Sequence, residues 1–443
     1  MSYMNLDQTH DPQLISWIDS ANAESSDFPL QNLPFGVFSQ RGISGVKKIG
    51  VAIGDKVLDL AATVKADLIS NCPFELINAC SAHSLNGIMS LEGHQLNFMR
   101  HQLFKLLSSS ANSETQRIIE KLLIASADCE MHLPAAIGDY TDFYASIEHA
   151  SNVGRLFRPD TPLFANYKHM PIGYHGRASS IVPSGAEVKR PRGQSKSTEA
   201  TQPSIGPSSQ LDYELELGLF IRGENSVGTP TSIDKAAERI FGFCLLNDWS
   251  ARDIQSWEYQ PLGPFLAKSF TTSISPWVVT SEALRPFRVP ARLRAAEDPP
   301  ASAYLFDLQD QQAGGFSVRV ETLLTTEAMR RTNLAPYSLS IGSTADLYWT
   351  FSQMIAHHTS NGCNLRPGDL LGSGTISGSL PSSRGCLLEL TERGKFPIRL
   401  PNGEERKFLE DGDEIILKAR CIHPQFRSIG FGECRGMIRG ANE

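Results

Sequence analysis

Leu211–Phe220 reads LDYELELGLF, in which Asp212, Glu214 and Glu216 alternate with Leu215, Leu217 and Leu219. A period of two marks a half-buried strand, so the acids are expected on one side and the leucines on the other. Side chains at i and i+2 stand about 7 Å apart along such a strand. Glu214 and Glu216 are thus near enough to converge on one hard cation through oxygen ligands. Without a cation, unit charges about 4 Å apart repel by about 4 kcal/mol at an effective dielectric of 20. The alternative is a pair of glutamates that face water and splay apart. The choice rests on whether distant parts of the chain bring further ligands.

The chain has 443 residues, 41% hydrophobic and 20% charged. That is the composition of a soluble globular protein with two or three domains, or one large domain with an appendage. A formal net charge of -7 gives no electrostatic footprint for nucleic acid or an anionic membrane surface. No run approaches the roughly 18 apolar residues that span a bilayer. The N-terminus, MSYMNLDQTHDPQ, lacks the basic region and apolar core of a secretory signal. The eight cysteines stand singly with no CxxC pair, which argues against a structural zinc site or a redox motif. In a long chain without a secretory signal they are expected to be buried free thiols. The expected setting is the cytoplasm.

Residues 1 to about 25 are polar and are expected to be poorly ordered at their start. Next, IGVAIGDKVLDL (Ile49–Leu60) alternates around a hairpin turn at Gly54-Asp55. Two helices should follow. The first carries Leu96, Met99, Leu103, Leu106 and Leu107 on one face. The second opens at Ser113 with a capping box to Gln116 and an inward stripe of Ile118, Ile119, Leu122 and Leu123. A small β-plus-helix domain ending near residue 130 is the natural parse. Beyond it come short strands and Gly/Pro-rich loops. Helices are expected from about Ser232 to Phe241 and from Tyr348 to His358, and a hairpin at Asn402-Gly403 between PIRL and RKFL. This region reads as a sandwich or roll rather than a doubly wound sheet. With no GxGxxG after a strand and no P-loop, nucleotide chemistry is not indicated.

In NDWSARDIQSWEY (Asn247–Tyr259), Ser250 and Asp253 have the spacing of a capping box that opens a short helix. Arg252, Gln255 and Tyr259 then share one face, a clamp for a polar anionic substrate. Arg252 paired locally with Asp248 or Glu258 on a solvated surface is the other reading, though Trp249 and Trp257 beside it suggest burial. In DYTDFYASIEHASNVGRLFR (Asp139–Arg158), Asp142 and His149 lie two helical turns apart and would share a face if the stretch is helical. His149 reads as a base or as a satisfied structural residue, and Asp142 equally as an N-cap. YHGRASS (Tyr174–Ser180), KSFTTSISPW (Lys268–Trp277) and GSGTISG (Gly372–Gly378) bring hydroxyl and backbone oxygens to a ligand, or else are turns.

Taken together, DYTDFY, HASNVG, GYHGRASS, ELELG, NDWSARDIQ, PLGPF, KSF, ISPW, NGCNLRPGDLL, SGTISG and IGFGEC run in order from about residue 139 to 434. In that order they resemble the fumarylacetoacetate hydrolase family. The resemblance implies a mainly β, α+β chain: an SH3-like N-terminal β-barrel domain with helices (residues 1–130), then a larger mixed β-sandwich roll (131–443). It implies that Asp142, Glu214, Glu216 and Asp248 bind a catalytic Ca2+. Asp248, Lys268 and Thr272 would hold a second, structural Mg2+, Lys268 through its main-chain oxygen. His149 corresponds to the general base and Glu389 to its orienting partner. Arg252, Gln255 and Lys268 would stabilise the oxyanion and the departing carbanion. Tyr144, Arg158, Tyr174, Gln255, Tyr259 and Thr375 correspond to substrate contacts. The implied reaction is metal-dependent hydrolysis of a carbon–carbon bond in the β-diketone fumarylacetoacetate, the last step of tyrosine and phenylalanine catabolism. The implied form is a cytoplasmic homodimer with no nucleic-acid or membrane partner. A decarboxylase or hydratase of another oxo-acid on the same fold is the second reading. Thr271 stands where the family usually carries Gly or Ala, adding bulk beside the second cation site.

Overall fold

The computed structural model describes residues 6–43, 45–197 and 199–442. The Leu215–Ile221 strand is buried along its whole length. It lies inside an eight-stranded sheet ordered Gly173–His175, Tyr140–Phe143, Leu370–Gly372, Leu215–Ile221, Ile240–Asp248, Thr272–Ile274 and Ile181–Pro183, with Val279–Thr280 also paired to Ile240–Asp248. Most pairings are antiparallel. Leu370–Gly372 with Tyr140–Phe143, and Thr272–Ile274 with Ile181–Pro183, are parallel. The alternation read from sequence explains what each face meets. Leu215, Leu217 and Leu219 enter the main core, where they join Val320, Leu417 and Ile438 of a second sheet. That five-stranded sheet runs Tyr337–Ser343, Arg319–Thr325, Glu414–His423, Phe426–Arg439, Glu187–Lys189. Two sheets facing one core make the expected roll.

The opposite face of the strand carries Glu216 and Phe220. Phe220 belongs to a second core with Phe241, Cys244, Leu246 and Leu370 of the same sheet and Val37, Leu58, Met99 and Leu103 of the N-terminal unit. The N-terminal unit thus covers the apolar end of this face, and the acidic end is left to the site. Its own sheet has five strands ordered Leu123–Ala125, Lys56–Asp59, Lys48–Ile53, Phe35–Gln40, Cys129–His132. The Gly54-Asp55 hairpin forms as read, with Ile53 opposite Lys56 and Gly54 at φ +56°, where a side chain would be strained. The helix Gly93–Leu107 buries Leu96, Met99, Leu103, Leu106 and Leu107.

The start of the polar N-terminal segment, residues 1–5, lies outside the described residues; after it, Asp7 caps Gln8–His10. The buried Arg100 guanidinium donates to the carbonyls of Thr9, Gln31 and Asn32. The helix Ser113–Glu120 is capped by Asn112, whose side chain accepts from Thr115 N. Gln116 turns back to Ala111 O, so no Ser113 box forms, and of the expected stripe Ile119 is buried but Ile118 is exposed. The helix after Ser232 covers only Ile233–Ala236 and one 3-10 turn, Ala237–Arg239, because the IFGF run enters the central strand at Ile240. The helix expected from Tyr348 starts at Phe351, with Thr350 and Gln353 forming the capping box. The Asn402-Gly403 hairpin forms between Ile398–Arg399 and Glu405–Arg406. The eight cysteines are free; six are buried, and Cys72 and Cys363 are half-buried. Among the described residues no helix is long and apolar enough to cross a membrane.

Candidate active site

Sheet order assembles the acids. Glu216 projects from Leu215–Ile221, Glu214 precedes that strand, Asp142 sits on Tyr140–Phe143, and Asp248 ends Ile240–Asp248. Leu370–Gly372 separates the strands of Asp142 and Glu216, with Gly372 opposite Asp142. A Cβ on Gly372 would lie 2.4 Å from Asp142 Oδ1 and 3.0 Å from Glu216 Oε2. Only the missing side chain lets the two carboxylates meet across it. Asp142, Glu214, Glu216 and Asp248 are all buried, and one oxygen from each lies within 4.8 Å of the others.

Cations and donors surround part of this charge. Lys268 Nζ donates to Glu214 Oε2 at 2.6 Å and Asp248 Oδ2 at 2.5 Å. Arg252 Nη1 reaches Glu214 Oε1 at 2.8 Å. The Tyr174 hydroxyl donates to Asp248 Oδ2 at 2.9 Å. Gly374 N–H points at Glu216 Oε2 (3.1 Å) and Asp142 Oδ1 (3.3 Å). Burial alone would raise Glu214, but Lys268 and Arg252 hold it well below the usual carboxylate range. For Asp142 and Glu216, burial and the neighbouring carboxylates push the acids well above that range. Glu216 Oε1 has no hydrogen-bond partner. An all-oxygen donor set with surplus negative charge and an orphaned buried oxygen fits a hard divalent cation.

His149 lies on the helix Ile147–Phe157, where Ser146 is the N-cap and accepts from His149 N. Asp142 is on a strand instead, so the two share no helical face and Asp142 caps nothing. The chain turns between them and brings both to the same cleft. His149 is buried, with Nδ1 2.6 Å from Glu389 Oε2. An ionised carboxylate only accepts, so Nδ1 carries the hydrogen and Nε2 is the basic atom. Glu389 also accepts from Asn152 Nδ2 (2.8 Å), Ser377 Oγ (2.8 Å) and Cys386 Sγ (3.3 Å). Burial raises Glu389, but His149 and these donors more than offset it, so the group lies below its usual value. Asn152, Ser377 and Cys386 were missed from sequence. Asn152 left a signal there, one helical turn after His149, and Ser377 stands in the hydroxyl-rich GSGTISG stretch.

Arg252 opens the helix Arg252–Glu258 without a side-chain cap. Ser250 instead donates to Asp248 O, and Asp253 is taken by Ser208 and Ser209, so the expected capping box is absent. Nor does Arg252 pair with Asp248 or Glu258. It binds Asp212 and Glu214, and its Nη1 donates to Gln255 Oε1 at 3.1 Å.

A cleft of about 400 Å³ joins these groups. It is lined by Asp142, Glu214, His149, Arg252, Gln255 and Lys268, together with Tyr144, Arg158, Tyr174, Tyr259 and Thr375. Tyr144 meets the His149 ring edge-on, centroids 5.3 Å apart. Arg158 stacks on Phe164 at 4.0 Å. Thr272 faces a neighbouring cleft of about 150 Å³ shared with Tyr174, Asp248 and Lys268; its hydroxyl is 3.5 Å from Asp248 Oδ1. The residues matched to catalytic, metal and substrate roles line these two adjoining hollows, except Glu216, which stands in the carboxylate cluster, and Glu389, which stands behind His149. The arrangement can hold a cation beside a histidine base, with a guanidinium and an ammonium on the same wall.

The model described as Fumarylacetoacetase N-terminal matches residues 31–134, and that described as Fumarylacetoacetate (FAA) hydrolase C-terminal matches residues 139–439. The fumarylacetoacetase of Caenorhabditis elegans is 48% identical over 430 residues, covering 95% of this chain and 98% of that protein. The Homo sapiens fumarylacetoacetase is 46% identical over 419 residues, covering 94% and 97%. A solved fumarylacetoacetate hydrolase from psychrophilic Exiguobacterium antarcticum superposes with a TM-score of 0.50 at 17% identity, covering 92% of this chain and 99% of that one, a likeness of fold.

Proposed function

The chain belongs to the fumarylacetoacetate hydrolase family, and from that premise we propose that it hydrolyses fumarylacetoacetate to fumarate and acetoacetate, closing tyrosine and phenylalanine breakdown. The observation that carries the reading is the His149–Glu389 pair, 2.6 Å apart, with His149 lining the same cleft as Asp142 and Glu214 of the four-carboxylate cluster. Asp142, Glu214, Glu216 and Asp248 would hold the ion, which when bound supplies Lewis-acid polarisation of the diketone oxygens. His149 Nε2 takes a proton from water while Glu389 stabilises the imidazolium that forms. The water oxygen bonds to the carbonyl carbon, the adjacent carbon–carbon bond breaks, and its electron pair leaves with acetoacetate as an enolate. The imidazolium then returns its proton to that carbon. Arg252, Gln255 and Lys268 stabilise the oxyanion and the enolate. Tyr144, Arg158, Tyr174, Tyr259 and Thr375 orient the substrate.

Oxygen-only ligands suit Ca2+ at the four-carboxylate cluster; for Asp248, Thr272 and the main-chain oxygen of Lys268, Mg2+ rests on the family resemblance alone. The family resemblance supports a cytoplasmic homodimer with a 1–130 N-terminal domain and a 131–443 catalytic domain. The test is an absorbance assay that follows loss of the β-diketone chromophore with Ca2+ and with chelator. Turnover in Ca2+ that chelator abolishes is expected. No turnover, or release of CO2 from another oxo-acid instead, would overturn the reading.

A further inference from the structure

Asp212 is the acid of LDYELELGLF that the cation cluster leaves out. It is fully buried and accepts four hydrogen bonds: Tyr213 N (2.9 Å) and Leu387 N (2.8 Å) at Oδ1, Leu388 N (2.9 Å) and Arg252 Nε (2.9 Å) at Oδ2. Two of these donors open the single-turn helix Leu387–Leu390, which carries Glu389. The residue at its N-cap, Cys386, makes no cap with its side chain and gives its thiol to Glu389 instead. The third long-range donor is the guanidinium that touches Glu214 and Gln255. One carboxylate therefore ties together the turn that orients the base and the Arg252 guanidinium.

We infer that Asp212 is a positioning residue: it fixes the Glu389 turn and the Arg252 guanidinium relative to each other, and so aligns His149 with the oxyanion-stabilising groups. The inference rests on the hydrolase reading above. The geometry explains why a carboxylate is required. All four partners are donors, and an amide in the same place would turn its NH2 toward two of them. Glu214 keeps Lys268 whatever happens at residue 212, so cation binding should survive.

The test compares the native chain, Asp212→Asn, Asp212→Glu, Glu389→Gln and the double variant Asp212→Asn/Glu389→Gln. Calcium affinity is measured with the metal alone by calorimetry, and turnover is measured on fumarylacetoacetate. Asp212→Asn should lose about 100-fold in kcat, with KM and calcium affinity each within about threefold of native. Asp212→Glu, which keeps both acceptor oxygens, should recover about tenfold of that loss. Groups that act as a unit are non-additive, so the double variant should fall no more than about threefold below Glu389→Gln alone. An Asp212→Asn kcat near native, calcium binding lost in step with kcat, or full additivity would overturn the inference. So would absence of a cooperative unfolding transition in both Asp212 variants, since Asp212 would then be a folding residue only. A native chain with no turnover would sink the hydrolase reading itself; normal native turnover with an unimpaired Asp212→Asn sinks only the role of Asp212.

Discussion

His149 carries the most consequence per atom. Its Nδ1 is committed to a carboxylate that three further donors hold in place. The ring therefore cannot rotate to exchange its nitrogens without breaking that network. General-base groups contribute about 10²–10⁴-fold to rate. His149→Gln is accordingly expected to lose about 10³-fold in kcat with calcium binding unchanged, as steady-state turnover and calorimetry on one preparation would report. Near-native turnover would remove the base assignment. From residues alone His149 could not be told from a structural histidine, because Glu389 lies 240 positions away and periodicity says nothing across such a distance. Only the resemblance carried by the ordered motifs paired the two residues. Glu214 and Glu216 were different: their period of two already placed them on a strand, and the structure adds only what they face.

Among the elements, the short strand Leu370–Gly372 decides whether the acids can meet. A methyl group at residue 372 would overlap Asp142 Oδ1 and crowd Glu216 Oε2. Gly372→Ala should therefore weaken calcium binding at least about tenfold while the strand pairing persists. Calcium titration alongside a thermal melt separates the two effects, and unchanged affinity would show that the carboxylates have room to withdraw. Elements set by apolar period or turn chemistry were legible, as the helix Gly93–Leu107 and the hairpins at Gly54 and Asn402 show. Caps were not. A Ser or Asp at the right spacing caps only if no stronger tertiary partner claims it. Asp253 is claimed by Ser208 and Ser209, and Asn112 displaces Ser113 by one position. The strand at Ile240 likewise truncated a helix whose local pattern ran to Phe241, a choice made by the sheet and not by local propensity.

Two of the places where the molecule buries ionisable groups should show in its stability. Asp310 is fully buried against Thr350, which donates to both of its oxygens. Burial raises it from 3.8 to about 6 despite hydrogen bonds from Thr350 and Ser352. Between those values the folded chain keeps a proton that the unfolded chain has released. Stability contributed by Asp310 thus falls as pH rises from about 4 to 6, by up to about 3 kcal/mol. Urea midpoints of Asp310→Asn should lack that part of the decline; parallel pH curves for variant and native chain would refute it. The second place is the acid cluster, where four buried carboxylates share Lys268 and an Arg252 already divided with Asp212. An ion that binds only the folded chain adds about 2.7 kcal/mol at 100 times its dissociation constant. For a chain of this size that should raise Tm by about 3 °C. Glu216→Gln gives the sharper reading, because it removes both a ligand and a repelling charge. In chelator the variant should melt above the native chain, since repulsion and burial disfavour the Glu216 anion. In saturating calcium it should melt below, having lost a charged ligand. Scanning calorimetry under the two conditions tests the crossing. A variant less stable in both would mean that Glu216 is compensated within the protein, with no cation required.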